Sequence, residues 1–410
     1  METEIGSKRR GVITSTCGNF PEWMLFEVLI RLPVKVLFKF KIVSKKWFCM
    51  ISDPSFARMY VARTSLLPHS QHWTLIHSRV DHKAATKQFL VRTVQLHECS
   101  LGTDCLQHRL ILPRAQESDD SHYRIYGVSN GLVLYGPLED IASNGRIYRC
   151  YICNLITGKW ITLPPYEHIF RHVVVGFVTQ VEDNILVSYR VVLTDSGTRF
   201  RACRFAVYFS ETGKWVDFEI GFNQPIHFYW WKKAVVLDKI LHRMTSGRKI
   251  MAYDPYNKLD SFRLLSLPGV KDEGKKMNIT ESLLNEHEGH LRFFVVASNE
   301  FSRSLIIWVL NDYDRGEWCL QHRVGISDIQ SDGGLSLPTV PLSFHPSDQE
   351  IVYLINEEVI LSYNIKTKTS KILGDSNKNY RCRFPFCHLY SFVIPTWPTS
   401  INSSSFEVTS

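Results

Sequence analysis

The sequence predicts a small all-α module followed by a large all-β domain of repeated hairpins, and three observations carry that prediction. Apolar residues recur at helical spacing from Pro21 to Tyr60, and the spacing is lost after Leu66-Leu67-Pro68. Beyond that point the chain consists of short runs rich in Val, Ile, Tyr and Phe, divided by polar turns. A strand-turn-strand pattern then returns as YICNLITGKW at 151–160, VYFSETGKW at 207–215, AYDPYNKLDSF at 252–262, WVLNDYDRGEW at 308–318 and SYNIKTKTSKI at 362–372.

The helical part reads in order. Leu25, Val28, Leu29 and Leu32 fall at i, i+3, i+4 and i+7, one face of a helix that ends at Leu32-Pro33. Pro33 opens a second turn with Val36, Leu37 and Phe40. A third helix carries Val43, Trp47, Cys49 and Ile51 before Asp53-Pro54, and Pro54 restarts the chain toward Phe56, Met59 and Tyr60. Three to four short helices are expected. A unit of about sixty residues has too little interior for so many large side chains. Some of this apolar surface therefore meets a partner, or packs on the domain behind it.

In the β part, each copy closes on Trp160, Trp215, Phe262, Trp318 or Ile372, roughly 47–56 residues apart. Turn pairs such as Thr157-Gly158 and Arg315-Gly316 stand where the backbone needs positive φ. A period near ~50 residues is that of kelch-like blades, four-stranded sheets that hide their faces on their neighbours. The expectation is a six- or seven-bladed kelch-like β-propeller, with Gln71 to Leu96 supplying a first blade and strands from opposite ends closing the last. Another all-β arrangement, such as a sandwich, uses hairpins too.

Composition narrows the function. The chain has 410 residues, 44% hydrophobic and 21% charged, with 24 Phe, 17 Tyr and 10 Trp, so it folds for most of its length. Its formal charge of +8 comes from 48 basic residues scattered among 40 acidic ones, which requires no nucleic-acid partner. The Lys8-Arg9-Arg10 run reads as a solvated tail. No run reaches the ~18–20 apolar residues of a membrane span, and Met1 to Arg10 is too polar for a secretory signal. The chain is expected inside the cell, in nucleus or cytoplasm, without a membrane partner. Its 10 Cys lack framework spacing and read as small buried residues rather than disulfides.

The stretch FPEWMLFEVLIRLPVKVLFKFKIVSKKWFCMISDPSF, from Phe20 to Phe56, resembles the F-box of plant F-box proteins. Phe20-Pro21 stands in place of the usual Leu-Pro, and Trp23-Met24 in place of an acidic-leucine pair. The resemblance implies that Pro21, Leu25, Leu29, Leu32, Pro33, Leu37, Val43 and Trp47 dock on a Skp-family linker protein, which binds a cullin. It also implies that Leu29→Asp abolishes that docking. The remainder is similar to the plant F-box-associated domain: IYGVSNGLVLYG at 125–136, ICNLITGKWITLPP at 152–165, IHFYWW at 226–231 and LIIWVLNDYDRGEWCLQHRV at 305–324 carry the likeness. The expected organisation is a disordered tail at 1–17, the F-box at 18–63, the propeller-like substrate-binding domain at 64–398 and a disordered tail at 399–410.

Few residues point to chemistry. Trp160, Trp215 and Trp318 recur at equivalent positions and read as packing; Asn130-Gly131 is turn chemistry, with no phosphate-binding GK after it. His97, Cys99, Cys105 and His108 are metal-ligand types in no common zinc spacing, and Cys382, Cys387 and His388 are looser still. His287-Glu288-Gly289-His290 falls one residue short of the helical H-E-x-x-H motif and reads as a polar loop. No catalytic set and no cofactor site is expected. Strand alternation can bury only half of the successive aromatics near His227, so Tyr229, Trp230 and Trp231 are candidate contacts for an unidentified protein substrate, the alternative being burial between blades. The resulting reading is a non-catalytic adaptor that recruits a protein to a ubiquitin ligase and promotes its degradation. Its rivals are a metal-dependent enzyme on a propeller scaffold, and an F-box protein that binds without leading to degradation.

Overall fold

The computed structural model divides into two compact units, residues 1–66 and 67–410. It describes residues 21–65, 73–81, 88–94, 110–112, 123–137, 146–155, 157, 159–168, 173–183, 185–195, 202–229, 232–269, 271–272, 275–276, 278–300, 302–331, 339–346, 348–356, 359–373, 390–393 and 397. The tails expected at 1–17 and 399–410 lie outside the described residues.

The first unit contains four helices, α1 (Glu22–Leu29), α2 (Val34–Phe40), α3 (Lys45–Ser52) and α4 (Pro54–Ser65). Pro21 and Pro33 precede α1 and α2 with φ of −53° and −56°, where a missing N–H costs nothing. Ser44 caps α3, its Oγ accepting the Trp47 N–H at 3.2 Å. Asp53 leads into α4 and accepts from the Ser55 hydroxyl and N–H at 2.6 and 2.7 Å, which holds its carboxyl below the usual range. Phe26 meets Phe56 edge-on at 5.1 Å, and the Tyr60 hydroxyl donates to the Leu32 carbonyl at 3.0 Å, tying α4 to the turn behind α1.

The second unit is built of antiparallel sheets. The first joins Trp73–Asp81, Gln88–Val94 and Leu110–Leu112 to the late strand Tyr390–Val393. The second takes Tyr123–Ser129, Leu132–Pro137, Tyr151–Asn154 and Trp160–Thr162, and the third Val173–Glu182, Ile185–Asp195, Ala202–Phe209 and Lys214–Gly221. The fourth takes Val235–Leu237, Ile240–Thr245, Lys249–Tyr253 and Phe262–Ser266, and the fifth Asn278–His287, His290–Ser298, Arg303–Asp312 and Glu317–Gly325. The last runs through Thr339–Phe344, Ile351–Asn356, Val359–Asn364 and Thr369–Leu373, with Gln330–Ser331 added in parallel to its outer strand. The expected count of six or seven four-stranded blades is corrected here: five sheets have the four-stranded form, and the last is a five-stranded sheet. The five sequence copies are the outer hairpins of the second through last sheets. Their turns use the left-handed region, with φ of 68° at Gly213 and 69° at Gly316.

Successive sheets touch through their leading strands in a closed circuit. The circuit is completed where Trp73–Ile76 pairs with Tyr390–Val393, whose Tyr390 hydroxyl donates to the Ile125 carbonyl at 2.9 Å. Because strand side chains alternate, adjacent residues serve opposite interfaces. Phe293 packs toward the fourth sheet and Phe294 toward the last, while Val191 faces the second sheet and Val192 the fourth. Gly176 lets two sheets close up, since a Cβ there would lie 2.3 Å from Leu241 Cδ2.

Polar contacts lock the same interfaces. Trp215 Nε1–H donates to the Pro164 carbonyl at 2.8 Å and Trp318 Nε1–H to the Ser266 carbonyl at 2.9 Å, in each case reaching back to the preceding sheet. Trp215→Phe keeps most of the ring but orphans the Pro164 carbonyl. It is expected to cost about 1–2 kcal/mol, read as a lowered urea midpoint.

His242 and Tyr313 share a 2.7 Å hydrogen bond between the fourth and fifth sheets, and burial lowers the imidazole pKa from 6.5 to about 4. The folded protein thus holds His242 neutral where the unfolded chain takes up a proton. Its stabilisation is complete above pH ~6.5 and drains away as pH falls toward ~4, by about 3 kcal/mol in all. Burial pushes His287 and His322 the same way. Urea titrations at pH 7 and pH 5 should show wild type losing more stability than His242→Gln.

Candidate functional site

The helical unit carries an unusual surface. Trp23 is 66% exposed, Val28 52%, Ile42 90%, Val43 57%, Phe48 53% and Met59 52%, all within about forty residues. The much longer β unit exposes as large apolar groups only Val187, Val216, Leu264, Leu320 and Ile372 among its described residues. Scattered exposed apolars are ordinary on any surface; this density is not. Its cause is local: helices of seven to twelve residues bury one stripe each, and the turn between α2 and α3 presents Ile42 and Val43 outward. Lys46 Nζ lies 3.9 Å from Glu22 Oε1, bringing the start of α3 to the start of α1 and hence toward Trp23. Lys41 Nζ lies 4.5 Å from the Phe38 ring centre and 5.9 Å from that of Phe48, placing Phe48 near the Ile42-Val43 turn.

The sequence-derived anchors divide in three. Pro21, Pro33 and Val43 are exposed; Leu25, Leu32 and Trp47 are half-buried, with Trp47 edge-on to Phe40 at 5.2 Å. Leu29 and Leu37 are 0% exposed. These two form the interior of the helical unit in this conformation. The exposure of Trp23, Val28, Ile42, Phe48 and Met59 could not be read from helical spacing, which tells which residues share a face and not which face the other helices cover.

On the β unit, Trp230 and Trp231 lie outside the described residues. Tyr229 is half-buried against the apolar cluster of the fourth and fifth sheets, and its carbonyl accepts from Lys232 N–H at 3.0 Å and Arg243 Nη2 at 3.3 Å. Phe228 is buried and His227 exposed. His287-Glu288-Gly289-His290 is the tight turn of a hairpin, with φ of 51° and 74° at Glu288 and Gly289, a polar loop as expected and not a helix. His287 is buried and His290 exposed. Among the described residues no three His, Cys, Asp or Glu side chains gather to hold a metal ion. His97, Cys99, Cys105, His108, Cys382, Cys387 and His388 lie outside those residues. No described helix is long and apolar enough to cross a membrane.

A circuit of packed sheets preceded in the chain by a four-helix unit defines a β-propeller protein with an N-terminal helical unit. Within that class the chain belongs to the family described as F-box protein At3g26010-like, beta-propeller, whose model matches residues 71–402. The chain is 24% identical over 408 residues to F-box protein At3g26010 of Arabidopsis thaliana, covering 92% of this chain and 88% of that protein. It is 25% identical over 372 residues to F-box protein At1g49990 of the same plant, covering 80% of each. Among solved structures, the Penicillium chrysogenum alpha-L-arabinanase aligns with a TM-score of 0.37 and 9% identity over 64% of this chain and 86% of that one.

Proposed function

We propose that this chain is a substrate-recruiting adaptor of a Skp-cullin-F-box ubiquitin ligase. The helical unit is its F-box and docks on a Skp-family linker, which carries the cullin; the propeller holds the protein to be modified. The observation behind this reading is the bare apolar surface of Trp23, Val28, Ile42, Val43, Phe48 and Met59, on a chain whose full-length relatives are F-box proteins. Pro21 and Pro33 are exposed as well, and Leu25, Leu32 and Trp47 are half-buried.

The energetics decide how many anchors are needed. Each buried aliphatic or aromatic group is worth roughly 1.5–3 kcal/mol, while association costs at least ~4 kcal/mol before ordering of side chains. One anchor leaves no surplus, and two leave at most about 2 kcal/mol. Six leave enough for a stable complex. The propeller then works by proximity, since holding a target near the charged conjugating enzyme raises its effective concentration without chemistry on this chain.

Proximity labelling in cells tests this reading. Labelling by the intact chain should recover linker, cullin and target proteins, and labelling by Val43→Glu only the targets. Equal recovery of ligase components by a folded Val43→Glu chain would remove the adaptor role.

A further inference from the structure

Three histidines stand at the two interfaces of the fifth sheet. His242, from the fourth sheet, is wholly buried, and its hydrogen bond reaches Tyr313 in the turn before the fifth sheet's outer strand, the two rings meeting edge-on at 5.6 Å. His322, half-buried on that outer strand, shares a 3.0 Å hydrogen bond with the Tyr363 hydroxyl of the last sheet. His287 ends the fifth sheet's first strand, buried, with its ring centre 6.1 Å from that of Phe344 in the last sheet. Of the other histidines whose exposure is described, His345 is buried with its backbone near His287, while His227 and His290 are exposed. Earlier interfaces in the circuit are held by other chemistry. Trp215 reaches the Pro164 carbonyl between the second and third sheets, and Arg190 stacks 4.5 Å from the Tyr256 ring centre between the third and fourth.

A neutral imidazole shares a hydrogen bond with a tyrosine hydroxyl without bringing charge into the interface, whereas an imidazolium in the same place has to give up its water. We propose that the fifth sheet is an acid-released segment of the circuit, held to both neighbours across neutral histidines and freed locally when these take up protons. The charges that face the three sites are mixed. Tyr313 feels Arg263, Asp314, Asp238 and Asp254; His287 feels Arg292 against Glu288 and Asp348; His322 feels Lys368. Burial outweighs them and lowers all three imidazoles, His242 to about 4. The contribution of these sites is therefore whole above pH ~6.5 and is lost as pH falls toward the folded values. Because the loss falls on the two interfaces of one sheet, that sheet opens before the rest of the circuit unfolds.

Hydrogen exchange on the full chain, read as protection corrected for the intrinsic pH dependence of exchange, tests the proposal. Between pH 7 and pH 5 the protection of Asn278–His287, His290–Ser298, Arg303–Asp312 and Glu317–Gly325 should fall at least tenfold, while that of Val173–Glu182 and Ala202–Phe209 in the third sheet holds. The double variant His242→Gln, His322→Gln keeps side chains able to hydrogen-bond both tyrosines but takes up no proton, and should lose most of this response. Glu281, on the fifth sheet's first strand, is pushed up by burial and faces Lys232, so it too titrates on acidification. Glu281→Gln should leave the response in place; its disappearance there would assign the effect to that carboxylate and overturn the proposal. Equal loss of protection in the third and fifth sheets of the wild-type chain would overturn it without any variant, as would an unchanged response in the folded double variant.

Discussion

A chain ending at Leu389 is expected to lose the folded β unit. The cut removes Tyr390 and Phe392, 8% and 0% exposed, and the ladder that joins residues 390–393 to Trp73–Ile76. Truncating a buried aromatic costs about 3–5 kcal/mol, and two of them approach the whole ~5–15 kcal/mol stability of a domain. The cut would also bare the edge of the strand Trp73–Asp81 to aggregation. Near-ultraviolet circular dichroism should show fixed aromatic packing in the full chain and none in the truncated one. Phe392→Ala should fall between them, lowering stability by about 3–5 kcal/mol. A truncated chain that unfolds cooperatively at the full-length urea midpoint would show that the closing strand contributes little.

The double substitution Ile42→Glu, Val43→Glu is expected to weaken linker binding at least a hundredfold, the equivalent of about 2.7 kcal/mol. Both side chains are already in water, at 90% and 57% exposure, so the charges leave the helical unit folded while opposing desolvation in a complex. Leu29→Asp behaves differently. Leu29 is wholly buried, so a carboxylate there should melt the helical unit and lose binding together with helical signal. Circular dichroism beside the binding assay separates a damaged surface from a damaged core.

The contrast between these substitutions shows what the sequence made legible. Local chemistry was readable: the prolines before α1 and α2, and the Arg315-Gly316 pair, whose glycine takes a positive φ in an outer hairpin. The repeated tryptophans read as packing, and two of them donate to the preceding sheet. Closure by strands from opposite ends was readable as well, and the first sheet shows it, its inner strand arriving from more than three hundred residues away. Other long-range relations were not readable. The parallel addition of Gln330–Ser331 follows no periodic pattern, so the like blades expected from the repeat became five regular sheets and one enlarged one. The exposure of the candidate docking residues was not readable for a related reason. Leu25, Leu29 and Leu32 share a stripe, but packing of the helices seals Leu29 and leaves Ile42 and Val43 outside, a decision made by tertiary contacts.

Isothermal titration of the purified full chain against a purified Skp-family linker is the most direct test of the adaptor reading. Stoichiometric binding at micromolar affinity or tighter, lost in the folded Ile42→Glu, Val43→Glu chain, is the result expected. Absence of heat and of co-elution with a correctly folded wild-type chain would contradict it.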